Sequence, residues 1–168
     1  MNGVMMISRL FIAASLLLQL AACGTTPQLD TRGVGPRITT RQAVATPDAL
    51  RGRKILWAGV IVQGGNQQDS TQLEVLAYPL RYNNRPDTNA EPLGRFLIVQ
   101  HGYLETVDYA PGRALTVVGA LDGLRRGKVG EADYDYPVVL SQQLRLWPAA
   151  DKAYTDPQVH FGIGVLFH

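Results

Sequence analysis

Cysteine is almost absent from this chain. Among 168 residues there is one, Cys23, so no intrachain disulfide can form and the core and hydrogen bonds must hold any domain together. Histidine is nearly as scarce. His101, His160 and His168 stand far apart with no partner cysteines, a spacing that gives no zinc-type ligand set. Neither sign of charge prevails. Lys and Arg number 16 and Asp and Glu 14, a formal charge of +2; without the first 22 residues, which hold only Arg9, it is +1. The isoelectric point of about 8.8 therefore carries no case for nucleic acid, which would need exposed aromatics along a basic groove. No long amphipathic helical period occurs, and no serine lies in a nucleophile elbow. Gly123 and Gly127-Lys128 are one residue too close for a phosphate-binding P-loop, and Val129 stands where that motif needs a hydroxyl.

What is present starts at the N-terminus. Arg9 supplies a positive charge, and Leu10 to Leu20 is apolar apart from Ser15 and Gln19. Ala21 and Ala22 then precede Cys23. A basic start, a short apolar stretch and a small-residue cleavage site are the parts of an export signal. The run is too short to span a bilayer comfortably, which takes about 20 residues. Leu20-Ala21-Ala22-Cys23 resembles a bacterial lipobox, so residues 1–22 are expected to be a signal peptide and Cys23 the lipidated N-terminus of the mature chain. The resemblance implies a diacylglyceryl thioether and an N-acyl chain such as palmitate. Two or more chains anchor stably where one does not. Gly24, in place of Asp, implies the outer membrane.

Residues 23–50 read as the lipidated cysteine and a flexible linker, because apolar residues are sparse and aperiodic among Thr, Gln, Gly and Pro. Six basic residues from Arg32 to Lys54 face Asp48 alone. They are either a solvated face or a collar resting on anionic headgroups. Within this stretch Thr46-Pro47 is suited to start a short helical turn that Gly52 ends.

Residues 51–168 carry strand signals. Ile55 to Val62 is apolar on both faces, as in a buried strand. A turn at Gly64-Gly65-Asn66 leads to a second strand, Thr71 to Leu80, with Leu73, Val75 and Ala77 on one face. Tyr82 to Pro86 reads as a turn, since Asn tolerates left-handed backbone. Phe96–Val99 and Ala114–Leu121 are a third and fourth strand. In a fifth, Val138 to Trp147, the spacing places Val138, Leu140, Leu144 and Leu146 on one face. That alternation breaks at Gln142, which needs a partner or an edge position. Val159 to Phe167 alternates as a last strand. Short strands with Gly- and Pro-rich turns predict an all-β fold: a small, mostly antiparallel barrel, OB-like in its irregular crossing between the third and fourth strands.

The pieces of this domain together resemble the Slp family of outer-membrane lipoproteins, starvation-inducible proteins of the Gram-negative envelope. The matching stretches include Trp57-Ala58-Gly59-Val60-Ile61, Tyr78-Pro79-Leu80, Gly94-Arg95-Phe96-Leu97, Gly102-Tyr103-Leu104-Glu105, Gly127-Lys128-Val129-Gly130-Glu131 and Leu146-Trp147-Pro148. Arg145 departs from the family pattern, which has His there. The resemblance implies location and context: anchorage to the outer membrane with the domain facing the periplasm, a role in envelope integrity or stress, and binding to an envelope protein partner. No enzyme, metal or cofactor is implied, and the near-neutral charge argues against nucleic acid. The alternative is a small-ligand or lipid-binding module. Trp57, Tyr103, Tyr134, Tyr136 and Trp147 are the candidate binding surface, because Tyr and Trp join an apolar body to a polar tip. Glu131, Asp133 and Asp135, balanced by Arg125, Arg126 and Lys128, read as a solvated acidic edge rather than a Ca²⁺ site.

Overall fold

The computed structural model describes residues 28–149. The signal segment, Cys23 and the strand expected at 159–167 lie outside the described residues. Five strands follow one another: β1 (Lys54–Asn66), β2 (Ser70–Tyr78), β3 (Gly94–His101), β4 (Ala114–Val129) and β5 (Ala132–Leu146). They close into a barrel in the order β1-β2-β3-β5-β4. Every pairing is antiparallel except β3 with β5, which is parallel. This is OB-type connectivity, and closure removes the open sheet edges that would otherwise template aggregation.

Alternation puts Ile55, Trp57 and Ile61 of β1, Leu73 and Val75 of β2, Phe96 and Ile98 of β3, and Leu115 and Val117 of β4 into one buried core. Trp57 meets Phe96 edge-on, with ring centroids 5.0 Å apart. Closure also needs glycine at two inward positions. A Cβ on Gly59 would lie 2.2 Å from the Leu76 carbonyl oxygen, and one on Gly119 would lie 2.3 Å from that of Leu140. Turn chemistry follows the expected pattern at Asn84, whose φ of 66° is left-handed.

The fifth strand differs from its expected alternation at one place. Val118 pairs with Gln143 and Gly119 with Ser141, so Gln142 is the extra residue of a β-bulge. The inward parity therefore switches there. Val139 joins Leu144 and Leu146 at the core, while Leu140, expected inside, is 42% exposed. A second bulge sets Asp122 and Gly123 against one residue of β5. Beyond it, Leu124–Val129 and Ala132–Pro137 continue as a hairpin arm past the expected ends of both strands.

The stretch read as a linker is the clearest correction. Its second half folds onto the barrel as α1 (Thr40–Ala45) and α2 (Pro47–Leu50). Thr39 and Gln42 form a reciprocal capping box at the start of α1. Ala43 is buried in the core, and Ile38 and Leu50 pack against it. The Trp57 indole N–H donates to the Ile38 carbonyl at 2.7 Å, and the Thr40 hydroxyl donates to that of Leu93. These few side chains lack a helical period because they fill the open end of a barrel rather than line a helix face. The expected turn at Thr46-Pro47 is present, but the Thr46 hydroxyl donates back to Gln42 at 3.1 Å and does not cap the second helix. Upstream, the Asp30 amide donates to Gln143 at 2.8 Å and Lys54 Nζ to the Arg32 carbonyl at 2.7 Å, so residues 30–38 strap the outside of the barrel.

Candidate functional site

The five candidate aromatics do not converge. Trp57 closes the core beneath the strap. Tyr103 is 69% exposed after β3, its hydroxyl donating to the Gln68 carbonyl at 2.9 Å. Tyr134 and Tyr136 stack on the hairpin arm with centroids 4.7 Å apart. Trp147 is buried just beyond β5.

The arm shapes the first of three places where chemistry gathers. Its inner side holds Arg125, Tyr134 and Tyr136, and it lies across the outer face of β2 and β3. Arg125 donates to Gln72. The Arg95 amide donates to the Tyr134 hydroxyl at 2.8 Å. Beneath the arm, Glu74 is only 6% exposed. One of its carboxylate oxygens takes Arg95 Nη1 at 2.6 Å and lies 3.2 Å from the Tyr136 hydroxyl; the other takes Gln63 at 2.7 Å. Tyr136 Oη also lies 2.9 Å from the Lys128 carbonyl, so one phenolic proton faces two acceptors. Burial, then the Glu74 charge, raise the Tyr136 pKa above its ordinary value. The hydrogen bond to Glu74 raises that of Arg95. A carboxylate bonded to Arg95, Gln63 and Tyr136 at once ties the arm down to the barrel. The β2–β3 face is where OB barrels commonly take ligands; here the chain's own arm occupies it. Glu74, Arg95 and Gln63 were not among the sequence candidates. The only sign of them was an outward-facing carboxylate opposite Leu73 and Val75, and its burial depends on the arm.

The acidic edge faces away from this cluster. Asp133 and Asp135 point opposite to Tyr134 and Tyr136 along the arm, and Asp135 pairs with Arg126 at 3.4 Å. Among the described residues no three His, Cys, Asp or Glu side chains come together as a metal-ligand group.

A second place is a cavity of about 500 Å³ between the strap and the ends of β1 and β2. Ile38, Ile55, Trp57, Leu80 and Leu93 supply its apolar wall, and Arg37 and Thr40 its polar points. The third is a wider groove of about 1020 Å³ around Trp147. Arg145 stacks on the indole, its Cζ 4.1 Å from the ring centroid, and Arg85 approaches to 5.9 Å. Arg113 donates to the Trp147 carbonyl at 3.1 Å. The indole N–H donates to Thr116 at 2.9 Å.

A small closed barrel, plugged by its own N-terminal segment, fits an envelope lipoprotein domain downstream of the expected export and lipidation signal. The chain belongs to the outer membrane lipoprotein Slp family, whose model matches residues 20–164. It is 28% identical over 148 residues to the uncharacterized lipoprotein YeaY of Escherichia coli K12, covering 88% of this chain and 76% of that one. It is 29% identical over 136 residues to the outer membrane protein Slp of the same organism, covering 79% and 71%. Location and family are thereby established: this is a lipoprotein of the outer membrane. Among solved structures, similar barrels include the mitochondrial single-stranded DNA-binding protein Rim1 of S. cerevisiae, with a TM-score of 0.36 and 12% identity, covering 55% of this chain and 92% of that one. A small single-stranded DNA-binding protein of Streptomyces coelicolor has a TM-score of 0.37 and 12% identity, covering 56% and 94%. Similarity at that level carries no functional argument. The strand order alone makes the barrel OB-type.

Proposed function

We propose that the chain is a non-enzymatic lipoprotein, lipidated at Cys23 after removal of residues 1–22, whose barrel faces the periplasm and serves envelope integrity by binding a protein partner. The observation that carries this reading is the way the barrel is filled. Its interior is solid with Phe96, Ile98, Val75, Leu115, Val117 and Val139, all fully buried, and its usual ligand face is covered by the arm. What the domain offers outward is surface. Crosslinking in intact cells followed by affinity recovery of the protein should return a reproducible envelope partner. A clean null in both growing and starved cells would count against the reading.

A second reading is favoured by the cavity beside Trp57. A volume of about 500 Å³ falls within the range of small-ligand sites, and its wall is apolar. In this reading the domain holds a small hydrophobic molecule between strap and barrel. Native mass spectrometry of the purified protein should then show a bound adduct that Trp57→Ala releases; a spectrum without an adduct speaks against it.

A further inference from the structure

The groove around Trp147 carries charge of one sign. Arg85, Arg113 and Arg145 line it, and among the described residues no carboxylate does. None of the ion pairs among the described residues involves these three arginines. Asp30, the acidic residue next to the groove-lining Leu29, is already held by Arg32 at 2.7 Å. Arg113 is fixed in place by the carbonyls of Asp108 and Trp147 at 3.0 and 3.1 Å, and its Nε is buried with no partner among the described residues. Like charges gathered without a counter-charge among the described residues repel one another, and a bound anion would relieve that repulsion. Guanidinium groups fit phosphate in bidentate fashion. Beside them, Leu29, Leu144, Leu146 and Pro148 give the groove an apolar wall. Charge and wall together fit an anion that carries hydrocarbon.

Chain length says where the groove sits. Gln28 and Leu29 form its rim, and Gln28 is five residues beyond Cys23. Five residues span at most about 18 Å even fully extended. A lipidated Cys23 therefore holds this groove, and no remote face of the barrel, close to the headgroup layer. We propose that the groove is a binding site for the phosphate headgroup of an anionic glycerophospholipid in the membrane that anchors the chain. The three guanidiniums take the phosphate, and the apolar wall takes the glycerol end of the acyl chains. This rests on lipidation at Cys23 for its geometry, yet it is a separate site with its own chemistry. Basic residues near an anionic surface are attracted to it, so these three would press the domain against the bilayer in one orientation.

The test uses the full lipidated protein in nanodiscs, labelled with ¹⁵N. Two tryptophans give two indole N–H resonances: Trp147 reports on the groove, and Trp57, under the strap, is the internal control. Raising phosphatidylglycerol in phosphatidylcholine discs from none to about a third should move the Trp147 resonance saturably and leave that of Trp57 in place. In Arg113→Gln and in the Arg85→Gln, Arg145→Gln double variant, the lipid-dependent movement should fall several-fold, with the Trp57 resonance unchanged as proof of folding. If Arg113→Gln does not fold, the double variant carries the test. Arg126→Gln, on the far arm, should behave as the parent does. A Trp147 resonance that ignores phosphatidylglycerol overturns the proposal. So does equal movement on adding inorganic phosphate to pure phosphatidylcholine discs, which would make the groove a free-phosphate site. Undiminished movement in the folded double variant overturns it as well. Failure of lipidation itself shows separately, as loss of the protein from the discs.

Discussion

At the scale of single residues, two kinds of position carry the most information. Gly59 and Gly119 are needed because a neighbouring strand's carbonyl occupies the space of a side chain. Backbone cannot swing aside as a side-chain tip can, so Gly59→Ala or Gly119→Ala should each lower stability by about 2 kcal/mol or more, read as a shift in the urea midpoint at unchanged slope. Gly65, where a Cβ would meet nothing within 4 Å, is the control and should tolerate Ala. The second kind is the buried phenol. Tyr136 has a raised pKa when folded because burial and the Glu74 charge oppose its anion. An acid whose pKa is raised on folding keeps its full contribution below the unfolded value of about 10 and loses it as pH climbs further. The urea midpoint should therefore fall above pH 10. Tyr136→Phe should make that fall shallower, with Tyr109, also raised by burial, accounting for part of what is left. An identical alkaline profile in the variant would remove Tyr136 from the explanation.

At the scale of elements, the strands were legible and the helices only partly so. The apolar pattern located all five strands, by alternation in the second and fifth and by a run apolar on both faces in the first. It missed their ends where the arm continues, since an arm that packs on β2 and β3 satisfies no simple inside–outside rule. Gln142 was legible as a break in the pattern. That the break is a bulge which reverses parity needed the partner strand, because register belongs to a pair. The capping box of α1 was present in the sequence as Thr39 and Gln42, three residues apart, but the sparse apolar residues around it hid the helix. Thr39→Ala should cost about 1 kcal/mol. If α1 plugs the barrel end, amide exchange should quicken there and around Trp57 before it does in β3. Exchange that stays unchanged at Trp57 would mean that the plug does not govern access to that end.

At the scale of the whole molecule, a five-strand barrel has no open edge and one filled core, so its outward surfaces remain to do its work. The anchor and the domain are separable parts. Cys23→Ser should abolish metabolic labelling with palmitate and shift the protein out of the outer-membrane fraction, while the barrel, made in isolation of the anchor chemistry, keeps its circular dichroism and its melting temperature. Labelled, membrane-bound protein in that variant would place the anchor elsewhere. The same division explains why candidate residues scattered. The aromatics were chosen for chemistry alone, and closure of the barrel sends β1, β5 and the arm to different sides. Trp57, Trp147 and the Tyr134–Tyr136 pair consequently face three separate environments.

The amino-acid sequence by itself determined the address, the all-β class and the inward-facing residues of the second strand. Each of these is set by local composition or by a period of two, and neither needs to know what lies across the barrel. The tertiary structure decided which polar residues are buried, where parity reverses, that residues 38–50 are plug rather than linker, and that Arg85, Arg113 and Arg145 share one groove. Those features join segments up to more than a hundred residues apart, as in the 2.8 Å bond from Asp30 to Gln143. No window of sequence contains both partners, so only the closed barrel could bring them together.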